Sequence, residues 1–272
     1  MTTNAPVTVI PFEPNRFRTA AAHYLAGRPA YAPRLIGRVA ELTGLQPEHR
    51  VLDLGCGPGP LARAFAPICA EVVAIDPEPA MLEEAAAGPP ATNITWKQGS
   101  SYDIGRELGS FHLVTIGRSF HWMDRADTLR RLDTMVGPGG AVALFHDVHP
   151  DLPDNAWLAE WRALLVRYSD EGVRRRANWV RHEALLLGSA FCVLEEIAAI
   201  ERRRVTVPIL IDRALSLSST SRARLGERAD QLVAELTALL EPRAQDGAIT
   251  EVVATSALIG YRRRAGGNPV EL

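Results

Sequence analysis

Between residues 50 and 60 the chain reads Arg50-Val51-Leu52-Asp53-Leu54-Gly55-Cys56-Gly57-Pro58-Gly59-Pro60, a short apolar run that ends in three glycines spaced two apart. A run of this length, bounded by turn residues, reads as a buried strand. Glycines at 55, 57 and 59 can adopt positive φ and let the backbone approach a ligand closely. A helix that follows such a turn presents free N–H groups and the positive end of its dipole. In an open parallel sheet, ligands bind beyond the C-terminal ends of the strands, where the strand order reverses. The turn after the first strand is such a place.

The segments that follow keep this rhythm. Arg50–Leu54, Glu71–Ile75, Asn93–Lys97, Phe111–Ile116 and Ala141–Phe145 read as strands, with helices over 59–68, 78–87 and 125–135 between them. Apolar strands alternating with helices imply βαβ units and a parallel sheet. Two helices, 16–27 and 31–43, precede the sheet and are interrupted by Arg28-Pro29. Later in the chain, 155–169, 176–188 and 221–241 read as helices, and Val193–Val207 and Thr250–Tyr261 as long strands. The expected fold is α/β, with seven mostly parallel strands, helices on both faces and a helical cap. At 272 residues the whole chain suits one domain. Within it, 1–45 forms N-terminal helices over the ligand site and 46–149 the binding core. Residues 150–190 form a cap inserted after the fifth strand, 191–262 the C-terminal strands and helices, and 263–272 a polar tail.

Two readings of the glycine turn compete. A dinucleotide site needs GxGxxG, and its third glycine would fall on Pro60. The acidic Asp53 ends the first strand, where a carboxylate is unhelpful beside a pyrophosphate but suits a cationic aminoacyl group. A second acid, Asp76, closes the next strand in Val72-Val73-Ala74-Ile75-Asp76-Pro77, placed to accept from both ribose hydroxyls. Asp53, Asp76 and Pro60 favour a methyl donor. A nicotinamide-dependent oxidoreductase and a non-catalytic binding protein of the same fold are the alternatives.

At these residues the chain resembles the class I S-adenosylmethionine-dependent methyltransferases, whose fold is Rossmann-like. Val51–Gly59 resembles their first motif and Asp76-Pro77 their ribose-binding acid. Phe111–Gly117 resembles the fourth-strand motif, and Val136-Gly137-Pro138-Gly139-Gly140 the turn before the fifth strand. Arg28-Pro29-Ala30-Tyr31 and Ser119-Phe120-His121-Trp122-Met123-Asp124 are similar to segments of a bacterial small-molecule subset, and the match runs over about residues 16–147. The resemblance implies S-adenosylmethionine as cofactor. It implies cofactor contacts from Tyr24, Arg28, Asp53, Gly55, Cys56, Gly57, Asp76, Pro77, Met81, Gly117, Arg118 and Trp122. Arg28 is placed to bind the methionine carboxylate. Many relatives carry an acid after the third strand. Here Gly99-Ser100-Ser101 stands instead, so Ser100 and Ser101 or their backbone would meet the adenine.

Methyl transfer from a sulfonium relies on alignment, and a general base adds about 10²–10⁴-fold when the acceptor must lose a proton. His121 is the candidate base, since an ordinary imidazole titrates near ~6.5. The other reading is a histidine that shapes the pocket. Tyr31, Phe120, His121, His146 and His149 are the candidate acceptor contacts, and aromatic faces suit a cation. His146 and His149 lack a second ligand cluster, so no metal is expected. Arg174-Arg175-Arg176 would favour an anionic acceptor if the cap closes over the site.

Composition narrows the partners. Charged residues are 23% and the formal net charge is −2, with no basic stripe for nucleic acid. Gly117-Arg118-Ser119-Phe120 also differs from the Asn/Asp-Pro-Pro-aromatic segment that grips a flipped base. No apolar run reaches the ~18 residues of a membrane span, and the first 15 residues lack a secretory pattern. Cys56, Cys69 and Cys192 are odd in number and far apart, so no disulfide framework is expected. A cytoplasmic monomer or homodimer acting on a small-molecule acceptor, at oxygen before nitrogen or carbon, is the expectation.

Overall fold

The alternation of apolar strands and helices produces one sheet in a computed structural model of the chain, which describes residues 18–169 and 180–263. Its strands are β1 (Arg50–Leu54), β2 (Glu71–Asp76), β3 (Ile94–Gln98), β4 (Phe111–Gly117), β5 (Val136–Val148), β6 (Val193–Thr206) and β7 (Ala248–Tyr261). They lie in the order β3-β2-β1-β4-β5-β7-β6. Pairings among β1 to β5 are parallel, and β7 runs antiparallel to both β5 and β6. The chain order reverses between β1 and β4, so the C-terminal end of β1 opens a crevice there.

Period-two alternation sorts the strand side chains onto two cores. Val51, Val72, Ala74, Leu113 and Phe145 face helices α2 (Pro33–Thr43) and α3 (Pro60–Phe65), through Leu35, Ile36, Val39, Leu61 and Phe65. Leu52, Leu54, Val73, Ile75, Val114 and Ile116 face the other way, with Leu129 and Leu132 of α5 (Arg125–Asp133) and Leu186 of α7 (His182–Leu187). Helix α1 (Ala21–Gly27) lies before α2, and α4 (Pro79–Ala87) links β2 to β3. Both α2 and α4 begin on a proline, whose missing N–H costs nothing in a first turn.

A third core is helical. Trp157, Leu158, Trp161, Leu164 and Leu165, from α6 (Leu158–Tyr168) and the residue before it, pack on Leu210 and Ala214 of α8 (Val207–Leu215). Leu225 of α9 (Arg222–Leu225) and Leu232, Leu236 and Leu240 of α10 (Arg228–Leu240) complete it. The cap is thus shared between 150–190 and a stretch of equal length between β6 and β7. Helix α8 is the element that sequence patterning misses: the strand read over Val193–Val207 assigns nothing to the residues after it, whereas a helix starts at Val207 with Pro208 in its first turn. The helix expected over 221–241 is divided at Gly226, which takes φ of 57°. β5 starts five residues early because a register shift lets the Gly137–Gly140 turn join it. Arg174–Arg176 and the tail beyond Arg263 lie outside the described residues. Among the described residues no helix is long and apolar enough to cross a membrane.

The helical core depends on fully buried leucines one turn apart on α10, at 232, 236 and 240. Replacing Leu236 with alanine is expected to lower unfolding free energy by about 2–5 kcal/mol, which urea denaturation followed by circular dichroism would measure.

Candidate active site

The glycine turn is stapled to the end of β2. Gly55 and Cys56 both donate their N–H to the Ile75 carbonyl, at 2.8 and 3.0 Å, and Gly57 N–H donates to Asp76 Oδ2 at 2.8 Å. Glu78 N–H donates to Asp76 Oδ1 at 2.9 Å, fixing the carboxylate from its other side. Gly55, Gly57 and Gly59 take φ of 68°, 55° and 82°, a region hostile to side chains. At Gly55 a Cβ would also sit 2.5 Å from Ser119 Oγ, so only glycine lets the β4 turn close on this loop.

A cavity of about 530 Å³ lies above this turn, within the range of small-ligand sites. Its walls include Gly55, Gly57, Asp76, Pro77, Met81, Ser100, Ser101, Gly117, Arg118, His121 and Trp122, with Tyr24 and Arg28 from the N-terminal segment. All thirteen are residues that the sequence singles out, brought from segments scattered between positions 24 and 122. Leu54, Glu78, Gln98, Gly99, Tyr102, Asp103, Ser119, Met123 and Leu217-Ser218-Ser219 join them without having been foreseen. Most of these neighbour a foreseen residue. Leu217–Ser219 follow α8 and carry no sequence signal of their own.

Six expected contacts lie elsewhere. Asp53 does not face the cavity: it is 1% exposed, with Oδ2 accepting from Ala62 N–H at 2.9 Å and Oδ1 from the Thr115 hydroxyl at 2.9 Å. It ties α3 and β4 to the strand beneath the turn. Burial pushes its carboxyl up to about 7, against the pull of those two hydrogen bonds. Cys56 is buried, with its thiol toward Gly57 O at 3.5 Å, and burial raises its pKa well above the ordinary range. Tyr31 packs edge-on against Phe145 under the core face of the sheet. Phe120 belongs to the opposite core, 5.1 Å from the His182 ring. His146 meets the Ser256 hydroxyl at 2.9 Å. His149 is 3.0 Å from Glu251 in a buried ion cluster. Alternation along β5 and the pairing of buried charges explain these last two. Among the described residues no cluster of His, Cys, Asp and Glu is arranged to hold a metal ion.

The cationic side of the cavity is built from two arginines of different character. Arg118 sits at φ of 56°, its guanidinium 4.5 Å from the Tyr31 ring centre, paired with Asp147 and donating to Pro29 O at 2.5 Å. Burial works against the Asp147 charge, but Arg118 and then Arg28 outweigh it and hold the carboxyl below its usual range. Arg28 lies 5.3 Å from the Tyr24 ring and donates through Nη2 to Ser216 O at 3.3 Å. Its Nε is buried without a hydrogen-bond partner. Burial lowers the Arg28 pKa, with Arg118 adding to the effect.

The short 3₁₀ turn Phe120–Trp122 follows β4 and directs His121 and Trp122 to the cavity, their rings 4.7 Å apart. Met81 is 3% exposed, and its sulfur would sit 3.9 Å from a Cβ at Gly57. Asp76, at 8% exposure, is pushed up to about 6 by burial, against the Glu78 and Gly57 N–H bonds.

Residues 51–140 match the family model described as a methyltransferase domain. An uncharacterised methyltransferase from Mycobacterium tuberculosis is 29% identical over 154 residues, 57% of this chain and 60% of that protein. A trans-aconitate 2-methyltransferase from Methylobacterium radiotolerans is 33% identical over 165 residues, 60% of this chain and 53% of that protein. The chain thus spans about 60% of the length of the first curated relatives it matches. A methyltransferase from Thiobacillus denitrificans, solved with S-adenosyl-L-homocysteine, shares the fold at a TM-score of 0.51 and 15% identity. That match covers 90% of this chain and 97% of the other. Residues 51–140 thus carry a methyltransferase domain, and the fold around it is shared with S-adenosylmethionine-dependent methyltransferases.

The residues present fit the cofactor of that class. Asp76 has unused acceptor positions toward the cavity and suits a vicinal diol. The orphaned Arg28 Nε suits a carboxylate, and the rings of Tyr24 and Trp122 suit a sulfonium or a purine.

Asp53 and Asp76 are both protonated more readily folded than unfolded. Their contribution to stability is therefore fully present below the unfolded carboxylate range near 3.8 and is lost as pH rises toward 6 to 7. Asp53→Asn is expected to flatten that fall. Urea midpoints of wild type and variant compared between pH 5 and 8 would show it.

Proposed function

We propose that the chain transfers the methyl group of S-adenosylmethionine to an oxygen of a small-molecule acceptor. The observation that carries the proposal is one cavity lined jointly by the glycine turn, Asp76 and the His121–Trp122 turn. When bound, the cofactor supplies an electrophilic methyl group on a sulfonium sulfur. Asp76 accepts from the ribose hydroxyls, and Arg28 pairs with the amino-acid carboxylate. Ser100 and Ser101 would contact the adenine through hydroxyl or backbone, and Met81 would supply an apolar contact to the cofactor. Trp122 and Tyr24 present π faces to the cation. The wall of His121 and Leu217–Ser219 receives the acceptor and holds its oxygen in line with the donor.

An imidazole nitrogen of His121 would take the proton of a hydroxyl acceptor, whose oxygen gains the methyl carbon as the carbon–sulfur bond breaks and the thioether leaves. The relative named for trans-aconitate, a small carboxylic acid, supports a compact oxygen acceptor. For a carboxylate acceptor no proton needs removal, and His121 then orients the oxygen. The cavity's size favours a small molecule over a nucleic-acid or protein substrate, and the chain acts in the cytoplasm as a monomer or homodimer.

Asp76→Asn should weaken S-adenosylhomocysteine binding about 10- to 100-fold, and Gly57→Val should abolish it by strain at positive φ. In wild type the affinity should fall as pH drops through about 6, because a protonated Asp76 loses acceptor capacity, and Asp76→Asn should lack this dependence. Titration calorimetry from pH 5 to 8 reads both, and normal affinity in both variants refutes the site. Stabilisation by NADH and not by S-adenosylhomocysteine would instead support an oxidoreductase.

With the acceptor identified by transfer of labelled methyl into a metabolite extract, His121→Ala should lower kcat by about 10²-fold or more and remove the acid limb of the rate profile if His121 is the base. A loss below about threefold with an unchanged profile assigns it to orientation.

A further inference from the structure

Glu251 of β7 is completely buried, and three basic side chains converge on it. Arg213 of α8 donates through Nη1 to Oε2 at 2.6 Å and through Nη2 to Oε1 at 3.0 Å. Arg203 of β6 donates to Oε1 at 2.8 Å, and His149 lies 3.0 Å from Oε2. A carboxylate gripped this way fixes the plane of the Arg213 guanidinium relative to the sheet.

A third donor of Arg213 leads out of the cluster. Its Nε–H donates at 2.9 Å to the carbonyl of Gly27, 186 residues away in sequence. Gly27 is the last residue of α1, and a Cβ there would lie 2.4 Å from the Arg213 backbone nitrogen. The two helices therefore touch backbone to backbone, and His23 meets Asp212 at 2.8 Å one turn back along α1. Arg28 comes next. It leaves the helix in an extended conformation, its N–H donating to Tyr24 O at 3.0 Å and its Nη2 to Ser216 O at the end of α8. The backbone before Arg28 and one of its terminal nitrogens are both placed by α8, which the sheet holds through Glu251.

We propose that Arg213 is a positioning residue for Arg28, with Glu251 as its anchor. The chain of contacts Glu251–Arg213–Gly27–Arg28 transmits the position of the sheet to the cationic wall of the cavity. If only stability were at issue, the Nε–H could serve any buried carbonyl. Here it goes to the peptide carbonyl that directly precedes Arg28, whose Nε is unpartnered. The proposal rests on the reading of Arg28 as partner of the cofactor carboxylate.

The test compares S-adenosylhomocysteine with 5′-methylthioadenosine, which keeps the nucleoside and lacks the amino acid, by calorimetry on the full chain. Arg213→Lys retains the charge beside Glu251 but cannot reach Gly27 as well, and Gly27→Ala pushes α1 from α8 through the Arg213 backbone while keeping every charged side chain of the cluster. Each should weaken S-adenosylhomocysteine about tenfold and leave 5′-methylthioadenosine within about twofold. In an Arg28→Ala background neither should weaken S-adenosylhomocysteine further, since the linked residues act as one unit. Equal losses for both probes, or additive losses in the double variants, overturn the proposal. Should Arg213→Lys fail to fold, Gly27→Ala decides alone. If Arg28→Ala leaves the ratio of the two affinities unchanged, the reading of Arg28 itself fails and takes the proposal with it. If Arg28→Ala shifts the ratio and the other two do not, only the positioning role fails.

Discussion

The Ile75 carbonyl accepts from two consecutive N–H groups, those of Gly55 and Cys56, and the carboxylate one residue later accepts from Gly57. Together these bonds pull the loop after β1 against the end of β2, a conformation possible only because all three glycines take positive φ. The cavity floor, the closeness of Ser119 and the aim of Asp76 all follow from that closure. The same constraint makes the site costly, because it buries carboxylates. Asp53 and Asp76 each rise above the ordinary carboxylate range, so part of the folding stability is given up to keep acids at the ligand end of the sheet.

The opposite wall is assembled by a different route. Helix α1 has only seven residues, too few to persist without packing. It is held by α8, from the other end of the chain, through a contact that tolerates no side chain at Gly27. The C-terminal helices therefore do more than cover the fold. By bringing Tyr24 and Arg28 together with Leu217–Ser219 at the cavity, they add walls that the parallel sheet alone does not supply.

How far the sequence reveals this depends on the range of the interactions. Strands β1 to β4 and the residues at their C-terminal ends are legible because glycine turns and period-two patterns are local signals. Gly55, Gly57, Asp76 and Trp122 meet at the cavity for that reason. Helix α8 is illegible because the β-branched residues around Pro208 carry no helical preference of their own, and packing against α6 and α10 decides their conformation. His149 stands beside a plausible substrate strand end, yet its role is decided by Glu251, 102 residues later. No local pattern announces a buried ion cluster.

Asp53 shows what separates a supporting residue from a contacting one. Asp53 and Asp76 each accept two hydrogen bonds from the protein, and both are lifted by burial. Motif position and charge do not distinguish them. What does is whether acceptor capacity remains where a ligand can reach it: Asp53 is sealed beneath the turn, while Asp76 lines the cavity. The same criterion divides the basic groups. Arg118 and Arg213 have carboxylate partners, Asp147 and Glu251, which balance their charge within the protein. Arg28 is half-buried, with its Nε buried and unused, Nη2 on a carbonyl and the Asp147 charge, already paired with Arg118, acting on it without a hydrogen bond. A desolvated guanidinium in that condition is stabilised by an anion from outside the chain, so the cavity is most complementary to a ligand that brings a carboxylate to this wall and hydroxyl donors to Asp76.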